Sequence, residues 1–145
     1  MIVLLQRVRE ASVTVGGRVT GAVGRGLLAF ICGEPGDAPE TVRKLAAKTA
    51  KLRIFEDDAG KMNRSVRDIG GDVLCVSQFT LAADTRSGNR PSFSTAASPA
   101  EGRAAYEAFV AAMREEGFSA PTGEFGADMK VALVNDGPAT FILRL

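Results

Sequence analysis

The chain has 145 residues, a formal net charge of +1, 46% hydrophobic residues and no histidine. Its length suits one domain over residues 1–145, with enough apolar content for a core that needs no disulfide or metal. The missing histidine excludes Ser-His-Asp and Cys-His catalysis, and without histidine or a Cys-x-x-Cys pair neither a zinc site nor another metal cofactor is expected. The near-zero charge gives no broad basic footprint of the kind that grips long DNA, so any nucleic-acid contact must be local. Met1 to Val8 is too short for a secretion signal and carries Arg7 and Arg9 on the wrong flank. No run approaches the ~20 apolar residues of a membrane span. Cys32 and Cys75 lie in separate apolar runs and read as reduced core thiols of a cytoplasmic protein.

In chain order, Ile2 to Val8 reads as a buried strand. Ser12 to Val15 alternates, Gly16-Gly17-Arg18 interrupts, and Val19 and Val23 follow. A three-residue loop would set Val15 opposite Val19 and Thr14 opposite Thr20. Gly26 to Cys32 is a third, continuously apolar strand. Asp37-x-x-Glu40 has the form of a capping box, with Pro39 in the first turn. Val42, Leu45, Ala46, Thr49 and Leu52 then recur at helical spacing. Arg43, Lys44, Lys48 and Lys51 line the other side and read as a solvated face. Glu56 to Gly60 is a polar turn that lacks the alternating acids of a calcium loop.

Val73 to Val76 forms another buried strand and runs into Ser77-Gln78-Phe79-Thr80. Residues 84–98 are a long polar loop holding Arg86, Arg90 and Pro91-Ser92-Phe93. Ser98-Pro99-Ala100-Glu101 is a second capping box, followed by Tyr106, Phe109, Val110 and Met113 as a buried stripe and by Gly117 as the stop. Two strands, Met129 to Val134 and Phe141 to Leu145, finish the chain around Asn135-Asp136-Gly137-Pro138. The order implies an α/β fold: a mixed, largely antiparallel sheet, curved or barrel-like, with two main helices packed on it.

Three features carry chemistry. Ser77 to Thr80 follows a buried strand, where side chains and free backbone N–H groups become available to a ligand; the alternative is hydroxyls that merely cap backbone. Arginines beside an aromatic in the long loop suit an unstacked base and a phosphate, or simply solvent. Asp136-Gly137-Pro138 is at odds with a two-residue hairpin, because Pro138 has no N–H to give a ladder partner. A different turn is expected, with a cis Gly-Pro bond as one solution.

Together these segments resemble the D-aminoacyl-tRNA deacylases. The resemblance rests on Ser77-Gln78-Phe79-Thr80-Leu81-Ala82-Ala83-Asp84, Arg90-Pro91-Ser92-Phe93-Ser94 and Asn135-Asp136-Gly137-Pro138-Ala139-Thr140, and it extends through Leu5-Gln6-Arg7-Val8 and Asp128-Met129 over essentially the whole chain. Ala139 departs from the family's usual Val. The resemblance implies a homodimeric tRNA-editing hydrolase without cofactor, acting on the aminoacylated 3′ end of tRNA. D-aminoacyl esters, and glycyl esters mischarged on tRNA-Ala, would be cleaved. It further implies that Gly137 and Pro138, braced by Arg7, reject L-aminoacyl esters in the partner subunit's pocket. Ser77, Gln78, Phe79 and Thr80 would line that pocket and supply a backbone oxyanion hole, and Phe125 and Met129 would hold the terminal adenine. The 2′-hydroxyl of the terminal ribose would assist catalysis, consistent with the absent imidazole. Two other readings stay open: a hydrolase of another ester using Ser77 or Thr80 as nucleophile, and a non-catalytic RNA-end binder.

Overall fold

The computed structural model describes all of residues 1–145. The sheet is arranged around one long strand, β1 (Ile2–Val15). On one edge, its C-terminal half pairs antiparallel with β2 (Arg18–Val23) and its N-terminal half with β3 (Gly26–Cys32). On the other edge it pairs with β7 (Lys130–Leu143) along most of its length. β6 (Asp72–Ser77) joins β3 in parallel, which makes the sheet mixed. Helices α1 (Pro39–Lys51) and α2 (Pro99–Glu115) pack side by side on one face, and β4 (Phe55–Glu56) with β5 (Met62–Arg64) forms a small separate hairpin. The α/β architecture is the one expected. No helix is long and apolar enough to cross a membrane.

The unbroken apolar character of β3 and β6 has a direct cause: both faces are covered. Leu27, Ala29, Ile31, Val73 and Cys75 enter the large core beneath the helices, while Leu28, Leu74 and Val76 enter a second core inside the curl of the sheet. β1 serves both. Val3 and Leu5 face the helices, and Val8, Ala11 and Val13 face the curl. The two segments expected here are one strand running through the exposed Arg9 and Glu10. Irregularities in its pairing with β7, between Gln6 and Val8 and between Val8 and Glu10, shift the inward-facing set. Such bulges bend a strand and increase its twist, which suits a sheet that curls.

Two local expectations are corrected. The first hairpin closes on Gly16-Gly17 alone, pairing Val15 with Arg18 and Thr14 with Val19. Both glycines have positive φ, 55° and 78°, as a two-residue turn matched to strand twist requires. A bulge at Thr20 then puts Val13 opposite Gly21. At α1 the N-cap is Ala38, with no side-chain cap. The Asp37 carboxylate instead accepts from the Glu34 amide at 2.7 Å and pairs with the Met1 ammonium. The second capping box forms as expected, with Ser98 Oγ accepting from Glu101 N and Glu101 Oε2 from Ser98 N.

Candidate active site

β6 ends at Ser77, and the chain turns at once into a 3₁₀ turn, Phe79–Ala82. The Gln78 amide donates to the Ile31 carbonyl at 2.8 Å and carries the β3–β6 pairing one residue past the strand. Leu81 N–H closes onto the Gln78 carbonyl at 3.2 Å, while the N–H groups of Phe79 and Thr80, first in the turn, have no acceptor within it. The Gln78 side chain donates to the Thr80 hydroxyl. Phe79 is 60% exposed and packs on Phe93 with ring centroids 5.0 Å apart, tying the long loop to this turn.

A cavity of about 410 Å³ lies here, a size typical of small-molecule sites. Ser77 and Phe79 line it with Ile31 and Gly33 at the end of β3, Phe93 of the loop, Ser98 and Gly102 at the start of α2, and Phe125. Of the residues the sequence singled out for the pocket, the fold brings Ser77, Phe79 and Phe125 together on the cavity wall, while the Gln78 and Thr80 side chains bond to each other outside that wall. No warning of the glycines came from the sequence. A Cβ on Gly33 would stand 2.8 Å from Ala105 Cβ and 3.3 Å from Gly102 Cα, so the bare Gly33 lets α2 approach the end of β3 closely, whereas a Cβ on Gly102 would meet open space. The signal was in reach, since Gly102 is an unusual residue inside a helix. Met129 does not line this cavity; it packs over Gly123 and against the second core.

The groups around the cavity have fixed commitments. The Arg103 guanidinium lies 4.6 Å from the Phe125 ring centroid, a cation–π contact that holds the ring. The Tyr106 hydroxyl donates to the Cys75 carbonyl at 3.0 Å, and burial raises its phenol well above the usual range. Burial likewise pushes the Cys75 thiol up to about 12, so it stays protonated and unreactive. Asp84 folds the long loop: its backbone exchanges hydrogen bonds with Ser92 at 2.8 and 2.9 Å, and its carboxylate pairs with Arg86 at 2.7 Å. That guanidinium holds the Asp84 carboxyl below its ordinary value. No group of three or more Cys, Asp or Glu is placed to hold a metal ion.

Gly137 and Pro138 sit elsewhere. The final apolar runs are not a hairpin: both lie on the same edge of β1, with Asn135 opposite Val8 and Thr140 opposite Gln6. Residues 136–139 therefore bulge out against Arg7 alone, and the Gly137–Pro138 peptide is cis. Gly137 and Pro138 are exposed, with Ala139 buried behind them. Arg7, only 6% exposed, fixes this loop. Its Nε donates to the Asp136 carbonyl at 3.0 Å and lies 3.4 Å from the Asp136 carboxylate, and its Nη1 donates to the Ile54 carbonyl at 2.6 Å. Asn135 Nδ2 donates to the carbonyls of Arg7 and Ala139 at 2.9 and 3.4 Å. Arg7 pairs with Leu27 at the start of β3, whereas the cavity uses Ile31 and Gly33 at its end. Four residues of strand separate the two positions, roughly 13 Å at about 3.3 Å per residue.

A curled mixed sheet with an apolar pocket and free amides at a strand end defines a small-ligand site of the kind enzymes build. Known proteins make the class specific. The family model described as D-Tyr-tRNA(Tyr) deacylase matches residues 4–144. The D-aminoacyl-tRNA deacylase of Ruegeria pomeroyi is 62% identical over 140 residues, covering 97% of each chain. That of Acidovorax ebreus is 58% identical, covering 100% of this chain and 98% of the relative. Among solved structures, a c-Myc DNA unwinding element binding protein superposes with a TM-score of 0.92 at 37% identity, covering 100% of this chain and 99% of the other. A probable eukaryotic D-amino acid tRNA deacylase shares the fold at TM-score 0.81 and 18% identity, covering 98% of this chain and 97% of the other. The chain belongs to the D-aminoacyl-tRNA deacylase family and is an enzyme of the hydrolase class.

Proposed function

We propose that the chain acts in the cytoplasm on the aminoacylated 3′ end of tRNA, hydrolysing the ester of D-aminoacyl-tRNA and of glycyl-tRNA mischarged on tRNA-Ala. The reading is carried by one observation: the turn that begins at Phe79, on the wall of an apolar cavity, opens with two backbone N–H groups, of Phe79 and Thr80, that have no acceptor within the turn. Aimed at the ester carbonyl, such donors stabilise the charge that develops on its oxygen as water attacks. Phe125, on the cavity wall, offers a face for the terminal adenine.

The chirality filter is Gly137–Pro138 of a partner subunit. On its own chain this loop stands at the opposite end of β3 from the cavity, which supports a homodimer in which each subunit completes the other's site. Held by Arg7 and Asn135, the loop admits a hydrogen at the substrate α-carbon and rejects a side chain in the L arrangement. Water is activated with help from the substrate's own 2′-hydroxyl, already beside the ester. A nucleophilic Thr80 fits less well: its hydroxyl is engaged by Gln78, an amide and no base.

The test is release of amino acid from one tRNA charged in turn with a D-residue, its L-enantiomer and glycine, together with sedimentation at micromolar concentration. The D and glycyl esters are expected to be cleaved, the L ester to persist, and the protein to run as a dimer. Equal cleavage of D and L esters, or full activity in a stable monomer, overturns the filter in trans.

A further inference from the structure

We infer that a second cavity, beside the Gly137–Pro138 loop, is a binding site for a backbone phosphate of the substrate's RNA strand. The inference rests on reading that loop as the wall against the substrate α-carbon. The cavity, about 420 Å³, is lined by Arg7, Arg9, Arg25, Phe55, Glu56 and Asp136. It is polar where the catalytic cavity is apolar.

The charges are arranged for an anion. Arg7 is buried and fixed by the Asp136 and Ile54 carbonyls, while its Nη2 makes no hydrogen bond within the chain. The Asp136 carboxylate is committed to Arg7. Arg9 and Arg25 are exposed and enter no ion pair. Arg25 is nevertheless placed, its guanidinium carbon 5.7 Å from the Phe55 ring centroid. Glu56 is the one carboxylate here without a cationic partner, so two free guanidinium groups face a single free acid. Guanidinium forks match the paired oxygens of a phosphodiester.

The position names the source of the phosphate. Asp136, on the wall of this cavity, directly precedes Gly137. An RNA end whose last residue presents its α-carbon to Gly137–Pro138 carries its nearest phosphates within a nucleotide or two. The strand entering one subunit's catalytic cavity therefore passes over the arginines of the subunit that supplies the wall. A chain of net charge +1 needs such a local contact, having no general attraction for RNA.

The test compares two substrates, full D-aminoacyl-tRNA and the same D-amino acid esterified to adenosine alone, which has no phosphate. For Arg25→Gln and Arg9→Gln, the ratio of kcat/KM on tRNA to kcat/KM on the adenosine ester is expected to fall about fivefold each, through KM. The slope of log KM against log salt should shrink by about one for each arginine removed. Glu56→Gln should move the ratio the other way. An unchanged ratio overturns the proposal. So does an equal loss on both substrates, or a loss of D/L selectivity, since either means that the arginines only position the loop. If inhibition by inorganic phosphate weakens in the variants while the ratio holds, the cavity takes a free anion, and the proposal again fails. Should the wild type cleave D and L esters alike, the chirality reading has failed first, and the ratio still reports on the phosphate contact.

Discussion

The Ser77–Thr80 turn and the Gly137–Pro138 loop are both irregular backbone at interruptions of the same sheet, yet they are built in opposite ways. The turn lies over a fully covered frame: β6 is buried on both faces and its Cys75 carbonyl is held by Tyr106. Its first two amides, of Phe79 and Thr80, have no acceptor within the turn. The loop stands in solvent, but its backbone is tied by buried Arg7 and by Asn135. A group that must bind a developing charge needs unsatisfied donors on a rigid base. A group that must refuse a substrate needs fixed shape and few attractions of its own. Under the proposed function each region supplies one half of a selective catalyst, and β3 holds the two halves apart on one chain.

The sharpest way to break this contrast is at Arg7. Arg7→Ala leaves the Asp136 and Ile54 carbonyls without their donor and removes a buried side chain, and is expected to cost about 3 kcal/mol in denaturant unfolding. In the residual folded enzyme, D/L selectivity should fall more than the rate on D substrate. A variant equally stable and equally selective would mean that the loop holds its shape without its brace. On the catalytic side, a D-aminoacyl-tRNA ending in 2′-deoxyadenosine should bind nearly normally and react at least about a hundredfold slower in single turnover, the low end of general-base assistance. Equal rates would place the base on the protein. Smaller effects are expected from Thr80→Ala, which loses the hydrogen bond from Gln78, worth about 0.5–1.5 kcal/mol or roughly tenfold in kcat/KM at most, and from Ser77→Ala, which removes only a hydroxyl at the cavity wall. A million-fold loss in either would make that hydroxyl a nucleophile.

The last prediction concerns the frame. The Cys75 thiol, which titrates near 9.0 in an unfolded chain, is pushed up by burial to about 12 in the fold. The raised value means that its contribution to stability is intact below pH 9 and is lost as the unfolded chain ionises above it. Stability should fall by about 1 kcal/mol per pH unit from this thiol as the pH rises above 9. Cys75→Ala should flatten that part of the profile, read by urea midpoints at pH 8, 9.5 and 11.

The second helix cap and the apolar runs of β3 and β6 were legible because each follows from local pattern. Ser98 with Glu101 is a self-contained motif, and it formed. Asp37 with Glu40 had the same form but failed, because Asp37 found stronger partners in the Met1 ammonium and the Glu34 amide. The end of the chain misled for a related reason. Asp136-Gly137 looks like a hairpin, but Pro138 and the Arg7 contact are satisfied by a bulge on one continuing edge, and only the pairing with β1 reveals it. Phe125 was legible as a site residue through the resemblance. Gly33 was not, since what it contributes is the absence of a side chain where a helix meets a strand.

The Arg7–Asp136 contact spans 129 residues of sequence. During synthesis, β1 emerges first and pairs early with β2 and β3, its near neighbours along the chain. Its other edge waits until β7 has been made, a pairing of the non-local kind that forms slowly. Through most of translation the longest strand of the protein therefore presents an open row of backbone donors and acceptors to the ribosome's surroundings, the situation in which nascent chains stick to one another. The Gly137–Pro138 loop is among the last pieces to be set, so under the proposed function a chain that stalls late would already own its pocket while still lacking the wall it offers to a partner.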